Sequence, residues 1–78
     1  MTNGEIETLA RKLGSAQKDM LLRACATNGG GLNGFSENRR VFNSLYKKGL
    51  LQGKKGQQYC IVHTRPGLLV CRHLEKQQ

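Results

Sequence analysis

Residues 36–62 read SENRRVFNSLYKKGLLQGKKGQQYCIV, and this stretch predicts a helix that leads directly into a β-hairpin. Ser36 is a favourable N-cap residue, so we predict a helix over residues 37–48 that ends at Gly49. At about 100° per residue, the apolar side chains of this helix fall on one side, with Asn38 beside them. Those apolar residues are Val41, Phe42 and Leu45. One side of the helix is therefore expected to pack on a core.

The opposite side of the same helix is basic and polar. It presents Arg40, Asn43 and Lys47, with Arg39 and Ser44 at its flanks. In the major groove of DNA, Arg and Lys recognise guanine, and Asn recognises adenine, through paired hydrogen bonds. The alternative is a solvated helix face whose basic residues complement the helix dipole. Since no nearby acid is placed to form i, i+4 ion pairs with these residues, we favour contact with a partner.

The hairpin that follows carries lysines at its turn. Residues 50–52 and 57–62 predict two strands, and the glycines of residues 53–56 (GKKG) predict the turn between them. Lys54 and Lys55 would then lie at the tip of the hairpin. Contact with a phosphate backbone and simple solubility explain these lysines equally well.

The residues before this stretch predict two further helices. Thr2 and Glu5 match a capping box, and the amphipathic helix that they begin ends at Gly14. Ser15 is the expected N-cap of a second helix, which ends in the glycine-rich residues 27–31. The expected core residues are Ile6, Leu9, Ala10 and Leu13 in the first helix and Ala16, Met20, Leu21 and Cys25 in the second.

A short extended segment and a closing helix complete the predicted order of elements. Leu32 and Phe35 are the expected core anchors of the extended segment. Thr64 is expected to cap a last helix with Pro66 in its first turn, where the missing N–H is harmless, and residues 75–78 are expected to fray. Because 78 residues are too few for two domains, we predict one α+β domain over residues 1–78.

The charge of the chain is segregated along its length. The net charge is +8, yet residues 1–37 carry four basic and four acidic side chains. Residues 38–74 carry eight Lys or Arg and no acid. Such a positive field concentrates polyanions, and nucleic acid is the partner that we favour. An anionic membrane surface and an acidic protein surface are the alternatives.

The cysteines and the hydropathy of the chain indicate the cellular compartment in which the protein is expected. The three cysteines are an odd number without a CxxC motif, which favours reduced thiols over a secreted disulfide scaffold. No apolar run approaches the roughly 20 residues that cross a bilayer, and the first residues do not resemble a signal peptide. We therefore expect a cytoplasmic protein without a membrane partner.

Metal binding and catalysis are both disfavoured by the sequence. Cys60, His63, Cys71 and His73 could be considered as zinc ligands, but their spacing on a strand and on a helix directs them to different sides. The acids are five scattered carboxylates, and neither glycine-rich stretch matches a nucleotide-binding loop. We expect no metal, no cofactor and no enzymatic activity.

Two motifs resemble the winged-helix (winged helix-turn-helix) family of DNA-binding domains, especially its small prokaryotic and phage members. LYKKGLL (residues 45–51) is similar to the end of a recognition helix that runs into the wing, and YCIVHTRPG (residues 59–67) is similar to the second wing strand with the start of a closing helix. The resemblance covers about residues 15–74. It implies three helices, a β-hairpin wing and a closing C-terminal helix.

The resemblance also implies which residues contact DNA. The recognition-helix role falls on Arg39, Arg40, Asn43, Ser44 and Lys47, the wing role falls on Lys54 and Lys55, and Arg65 of the second motif joins the expected DNA-binding set. One departure is that residues 28–35 (NGGGLNGF) stand where the family usually places a further short helix. Winged helices that lack this helix also serve as protein-interaction modules.

These observations predict a small basic protein that binds double-stranded DNA, most simply a transcriptional regulator. The 37–48 helix would enter the major groove, and the 53–56 turn would follow the phosphate backbone. A homodimer could read a two-fold site, although the sequence contains no obvious coiled coil or apolar interface. The alternative is an interaction module, such as a phage-encoded inhibitor, that docks on an acidic surface of a larger complex.

Overall fold

Four helices and a three-stranded antiparallel sheet make up the computed structural model, which describes residues 2–54 and 60–76. The strand order is β1-β3-β2, so the strand that precedes the third helix lies beside the second strand of the hairpin. The predicted α+β, winged-helix-like fold is confirmed. Its elements are α1 (Asn3–Lys12), α2 (Ser15–Ala26), β1 (Leu32–Asn33), α3 (Arg39–Lys47), β2 (Leu51–Gly53), β3 (Cys60–His63) and α4 (Arg65–Lys76).

The first two helices form where the sequence predicts them, with one change of cap. The hydroxyl of Thr2 accepts the N–H of Glu5 and caps α1, as expected. The N-cap of α2 is Gly14 and not Ser15, because the side chain of Gln17 reaches back to accept the N–H of Gly14. Ser15 is therefore already inside the helix.

The buried side of α2 also differs from the prediction at its first turn. Met20, Leu21 and Cys25 are buried as expected, but Ala16 is exposed and Ala24 is buried instead. The buried stripe thus begins one turn later than predicted.

The third helix begins two residues later than predicted. Its N-cap is Asn38 and not Ser36, because the Asn38 side-chain oxygen accepts the N–H groups of both Arg40 and Val41. Ser36 instead lies in the turn before the helix, where its N–H donates to the carbonyl of Asn33. Residues 28–38 hold β1 and turns but no helix, so the element that winged helices usually place before the recognition helix is absent.

The end of α3 has the geometry that its glycine predicts. Gly49 has a φ of 77°, which favours a residue without a side chain. The N–H of Gly49 donates to Tyr46 and the N–H of Leu50 donates to Leu45, both at 3.0 Å, which is the Schellman pattern. Leu50 is thereby turned into the core, where it is fully buried.

The sheet is short and its register is defined. Ile61 of β3 lies between Leu32 of β1 and Gly53 of β2. The two hairpin strands lie close to their predicted positions, whereas the predicted turn residue Lys55 lies outside the described residues. Phe35 is not a core anchor, because it follows β1 in an exposed turn and 74% of its surface is accessible.

The joint between α3 and α4 is closely packed. Thr64 precedes α4, and its hydroxyl accepts the N–H of Gly67 and donates to the carbonyl of Gly49 at 2.5 Å. The N–H of Thr64 donates to the carbonyl of Leu50. A Cβ atom on Gly67 would overlap that same Leu50 carbonyl oxygen, so only glycine fits there. The predicted cap at Thr64 and the first-turn position of Pro66 are confirmed.

Every helix and both hairpin strands contribute to one core. Its residues are Ile6, Ala10, Leu13, Met20, Leu21, Ala24, Cys25, Leu45, Leu50, Leu51, Ile61, Val70, Cys71 and Leu74. Helix α4 packs on α1 and α2 and closes this core from one side. Among the described helices, none has the length and apolar character that crossing a bilayer requires.

The cysteines depart from the expectation of three reduced thiols. Cys25 of α2 and Cys71 of α4 are joined as a disulfide, with their Cα atoms 7.0 Å apart, and Cys60 is a free thiol. Spacing in the sequence could not show this pair, because 46 positions separate the two residues and only the packing of α2 on α4 brings them together.

Candidate nucleic-acid interface

The outward side of α3 presents the polar residues that the sequence predicts. Arg39, Arg40, Asn43 and Lys47 are all exposed, and we call this set the α3 basic face. It exists because Leu45 on the opposite side is fully buried and fixes the rotation of the helix about its axis. The side chains that could donate hydrogen bonds to a partner are thus held on a rigid element.

Ser44 has a different environment from the rest of the predicted set. It is half-buried, and the side-chain amide of Gln17 in α2 donates to its hydroxyl oxygen at 2.5 Å. The ammonium group of Lys48 donates to the same oxygen at 3.3 Å. These contacts tie α3 to α2, so the hydroxyl of Ser44 is already engaged within the molecule.

One acid lies close to the start of α3, and its charge is compensated. Glu37 forms a two-pronged ion pair with Arg23 of α2, with both nitrogen–oxygen distances at 2.8 Å. The Glu37 side chain is only 11% exposed, and Arg23 also contacts Asp19. The hydrogen bonds that Arg23 donates to Glu37 and then to Asp19 raise the pKa of Arg23, so this guanidinium stays charged at any accessible pH. Because Glu37 is paired with Arg23, the negative charge of Glu37 reduces the positive potential around α3 only slightly.

The α3 basic face is left without such compensation. In the part of the chain that the structure describes, the ion pairs are Arg11–Glu7, Arg23–Asp19 and Arg23–Glu37. The first lies in α1, the second lies in α2, and the third joins α2 to the loop before α3. None of them involves Arg39, Arg40 or Lys47.

A groove of about 400 Å³ separates α3 from the sheet. Arg39 and Asn43 of the α3 basic face line it, together with the half-buried Phe42 and with Ile61 at its base. Tyr46 stacks against Phe42 at a tilt, with ring centroids 5.9 Å apart. Glu37, which is paired with Arg23, also lines the groove, so the groove combines cationic, amide and carboxylate groups with apolar side chains.

Tyr46 borders the α3 basic face, although the sequence prediction did not include it among the contact residues. Its side chain is 58% exposed. At about 100° per residue it falls next to Arg39, on the border between the buried and exposed sides of α3. This position next to Arg39 is the sequence signal that identifies Tyr46 as a neighbour of the predicted set.

The wing residues are only partly described. Lys54 follows β2, is half-buried, and donates its backbone N–H to the carbonyl of Cys60 at 2.7 Å. Lys55 lies outside the described residues. Arg65 is exposed at the start of α4, next to Thr64, which contacts the end of α3 through Gly49. Arg65 is thus one residue away from the contact between Thr64 and Gly49, which follows α3.

The residues considered as zinc ligands are dispersed. Cys71 is joined to Cys25, and the thiol of Cys60 contacts the carbonyl of Gly30 at 3.2 Å. Over residues 2–54 and 60–76, no group of three or more His, Cys, Asp or Glu side chains is placed to hold a metal ion.

Comparison of the chain with protein-family models, with curated proteins and with solved structures finds no match. The geometry and charge of the chain itself are therefore the basis for assigning its function.

Proposed function

We propose that this protein binds double-stranded DNA, with α3 in the major groove and the 53–56 turn predicted from the sequence along the phosphate backbone. The observation that carries this proposal is the α3 basic face, whose cations have no ion pair among the described residues and whose neighbouring acid is paired with Arg23. A small regulator of transcription is the simplest role for such a protein.

The dimensions of α3 suit this role. A helix of nine residues is about 14 Å long at 1.5 Å per residue, and the major groove of B-DNA is about 12 Å wide. Arg39, Arg40 and Lys47 supply donors for phosphates or guanine, and Asn43 supplies both the donor and the acceptor that adenine requires. Ser44 would act indirectly, by holding α3 on α2.

Substitution on α3 tests the proposal. Arg40→Ala with Asn43→Ala removes a cation and an amide from the exposed side, so we expect sequence preference to be lost and affinity for a selected duplex to fall about 10- to 100-fold. Fluorescence anisotropy with a site chosen by selection from random duplexes measures both. Lys12→Ala, which removes one exposed cation from α1, is the control and should change affinity less than about threefold.

Equal effects of the α3 and α1 substitutions would contradict the proposal, since they would indicate that only total charge matters. Unchanged affinity of the α3 variant for every duplex would also contradict the proposal.

A second candidate function is docking on an acidic protein surface, as an interaction module or an inhibitor of a larger complex. The observation that favours it is the exposure of Phe35 and Tyr46, since aromatic residues are enriched in the centres of protein interfaces. The absence of a helix between α2 and α3 also fits an interaction module. Tyr46→Ala distinguishes the two functions, because it removes an interface anchor but no charge from the α3 basic face.

Cytoplasmic location and self-association belong to the proposal as well. A DNA regulator would meet its target in the cytoplasm of a prokaryotic cell, and a homodimer would let two α3 helices read the two halves of a symmetric site. Light scattering at micromolar concentration, with and without a palindromic duplex, measures the oligomeric state.

A further inference from the structure

Helix α4 carries a straight row of cations on its outward side. At about 100° per residue, Arg65, Arg72 and Lys76 fall within about 40° of one another. All three are exposed, and we call them the α4 row. The opposite side of the helix is buried through Gly67, Val70, Cys71 and Leu74.

The α4 row is not neutralised among the described residues. Glu75 is the acid of α4, but it lies at the edge of the row, and no ion pair found in the described ranges involves α4. From Arg65 to Lys76 the row extends about 16 Å at 1.5 Å per residue, which matches about five base pairs of duplex at 3.4 Å each. The row therefore has the charge and length to follow a phosphate backbone.

Helices α3 and α4 contact α2 through different residues. Gln17 and Arg23 of α2 contact Ser44 and Glu37, at α3 and just before it. Leu21 and Cys25 of α2 contact Cys71 of α4. Helix α4 also packs on α1, so the α4 row belongs to a different part of the surface from the α3 basic face.

We propose that the α4 row is a second contact surface for the phosphate backbone of a duplex, so that one molecule holds two duplex segments together. This inference rests on the proposed function, in which α3 binds the first segment. A nucleic-acid backbone is preferred over an acidic protein because the row offers cations and a half-buried Leu69 but no exposed aromatic anchor. Phosphate contacts need no such anchor, whereas the buried centres of protein interfaces are enriched in aromatic residues.

The test uses three variants of the full chain that each remove two cations. Arg72→Gln with Lys76→Gln alters the α4 row, Arg40→Gln with Lys47→Gln alters the α3 basic face, and Lys12→Gln with Lys18→Gln is the control for net charge. One assay measures anisotropy of a single dilute labelled duplex. The other measures capture of a fluorescent duplex by an immobilised duplex of the same sequence, with light scattering to report any dimer.

We expect the wild-type protein and the charge control to bridge the two duplexes. The α4 variant should lose bridging about tenfold or more while its affinity for a single duplex falls less than about threefold, and the α3 variant should lose both. Bridging by the α4 variant at the level of the charge control would overturn the inference. Single-duplex binding without bridging by the wild-type protein would overturn it while leaving the proposed function in place. No binding to any duplex would overturn both.

Discussion

At the scale of single residues, Arg23 decides how positive the candidate interface is. It does not lie on the α3 basic face, yet it compensates the acid that lies beside the start of α3. The sequence alone did not reveal this role, because Arg23 and Glu37 are 14 positions apart and meet only when α2 and the loop before α3 pack together. If the protein binds DNA as proposed, a residue outside the α3 basic face would therefore influence its DNA affinity.

We predict that Arg23→Gln weakens binding to duplex DNA about three- to tenfold, because it leaves the charge of Glu37 uncompensated next to α3. Anisotropy at low salt measures the effect. Arg11→Gln is a matched control, since it also removes an arginine from an ion pair with a glutamate, but on α1. Adding Glu37→Gln to Arg23→Gln should restore most of the affinity. An equal loss in both single variants would contradict a local role for Glu37.

Gly67 is a second residue whose importance is structural. We predict that Gly67→Ala destabilises the fold by about 1–3 kcal/mol, because the added methyl group would overlap the carbonyl oxygen of Leu50. That oxygen cannot easily move, since it accepts the N–H of Thr64 at the joint between α3 and α4.

Urea unfolding followed by circular dichroism measures this loss of stability. Gly53→Ala is the comparison variant, because nothing lies within 4 Å of a Cβ atom there, and it should stay within about 0.5 kcal/mol of the wild-type protein. Equal stability of the two variants would show that the joint relaxes around the methyl group.

At the scale of elements, local patterns predicted the type and order of the helices and strands but not all of their ends. The periodicity of Ile6 and Ala10 and the glycine at position 49 act within a few residues, so they could be recognised directly. The start of α3 was misplaced because Ser36 and Asn38 are both good caps, and the choice depends on which side chain reaches two free N–H groups. Phe35 was misassigned because hydrophobicity alone does not show that a turn projects away from the core.

The link between α2 and α4 is the element contact that sequence spacing could least predict. We predict that unfolded, unreduced protein has one reactive thiol, that of Cys60, because Cys25 and Cys71 are joined. Reduction should lower the free energy of unfolding by up to about 4 kcal/mol, the chain-entropy value for a loop of 46 residues. Thiol labelling with mass spectrometry counts the thiols, and urea unfolding with and without reductant measures stability.

A Cys25→Ala variant provides the control for this measurement, since its stability should not respond to reductant. Three reactive thiols in the unfolded wild-type protein would contradict the disulfide and would agree with the reduced thiols expected from the sequence.

At the scale of the whole molecule, charge and fold together define the candidate function. The basic residues of the second half could be counted from the sequence, but their separation into an α3 basic face and an α4 row required the packing of both helices on α2. The sequence also could not show that Ser44 is engaged by Gln17, or that Glu37 is paired. These features depend on contacts between residues that are distant along the chain.

The salt dependence of DNA binding tests the central claim most directly. If the protein makes five to seven phosphate contacts, log K should fall with log salt at a slope of about −5 to −6. Anisotropy titrations of random-sequence duplex at several salt concentrations between about 50 and 200 mM give this slope. Micromolar binding at low salt with that slope is the predicted result. No binding at the lowest salt, or a slope near zero, would contradict the assignment of the α3 basic face to DNA.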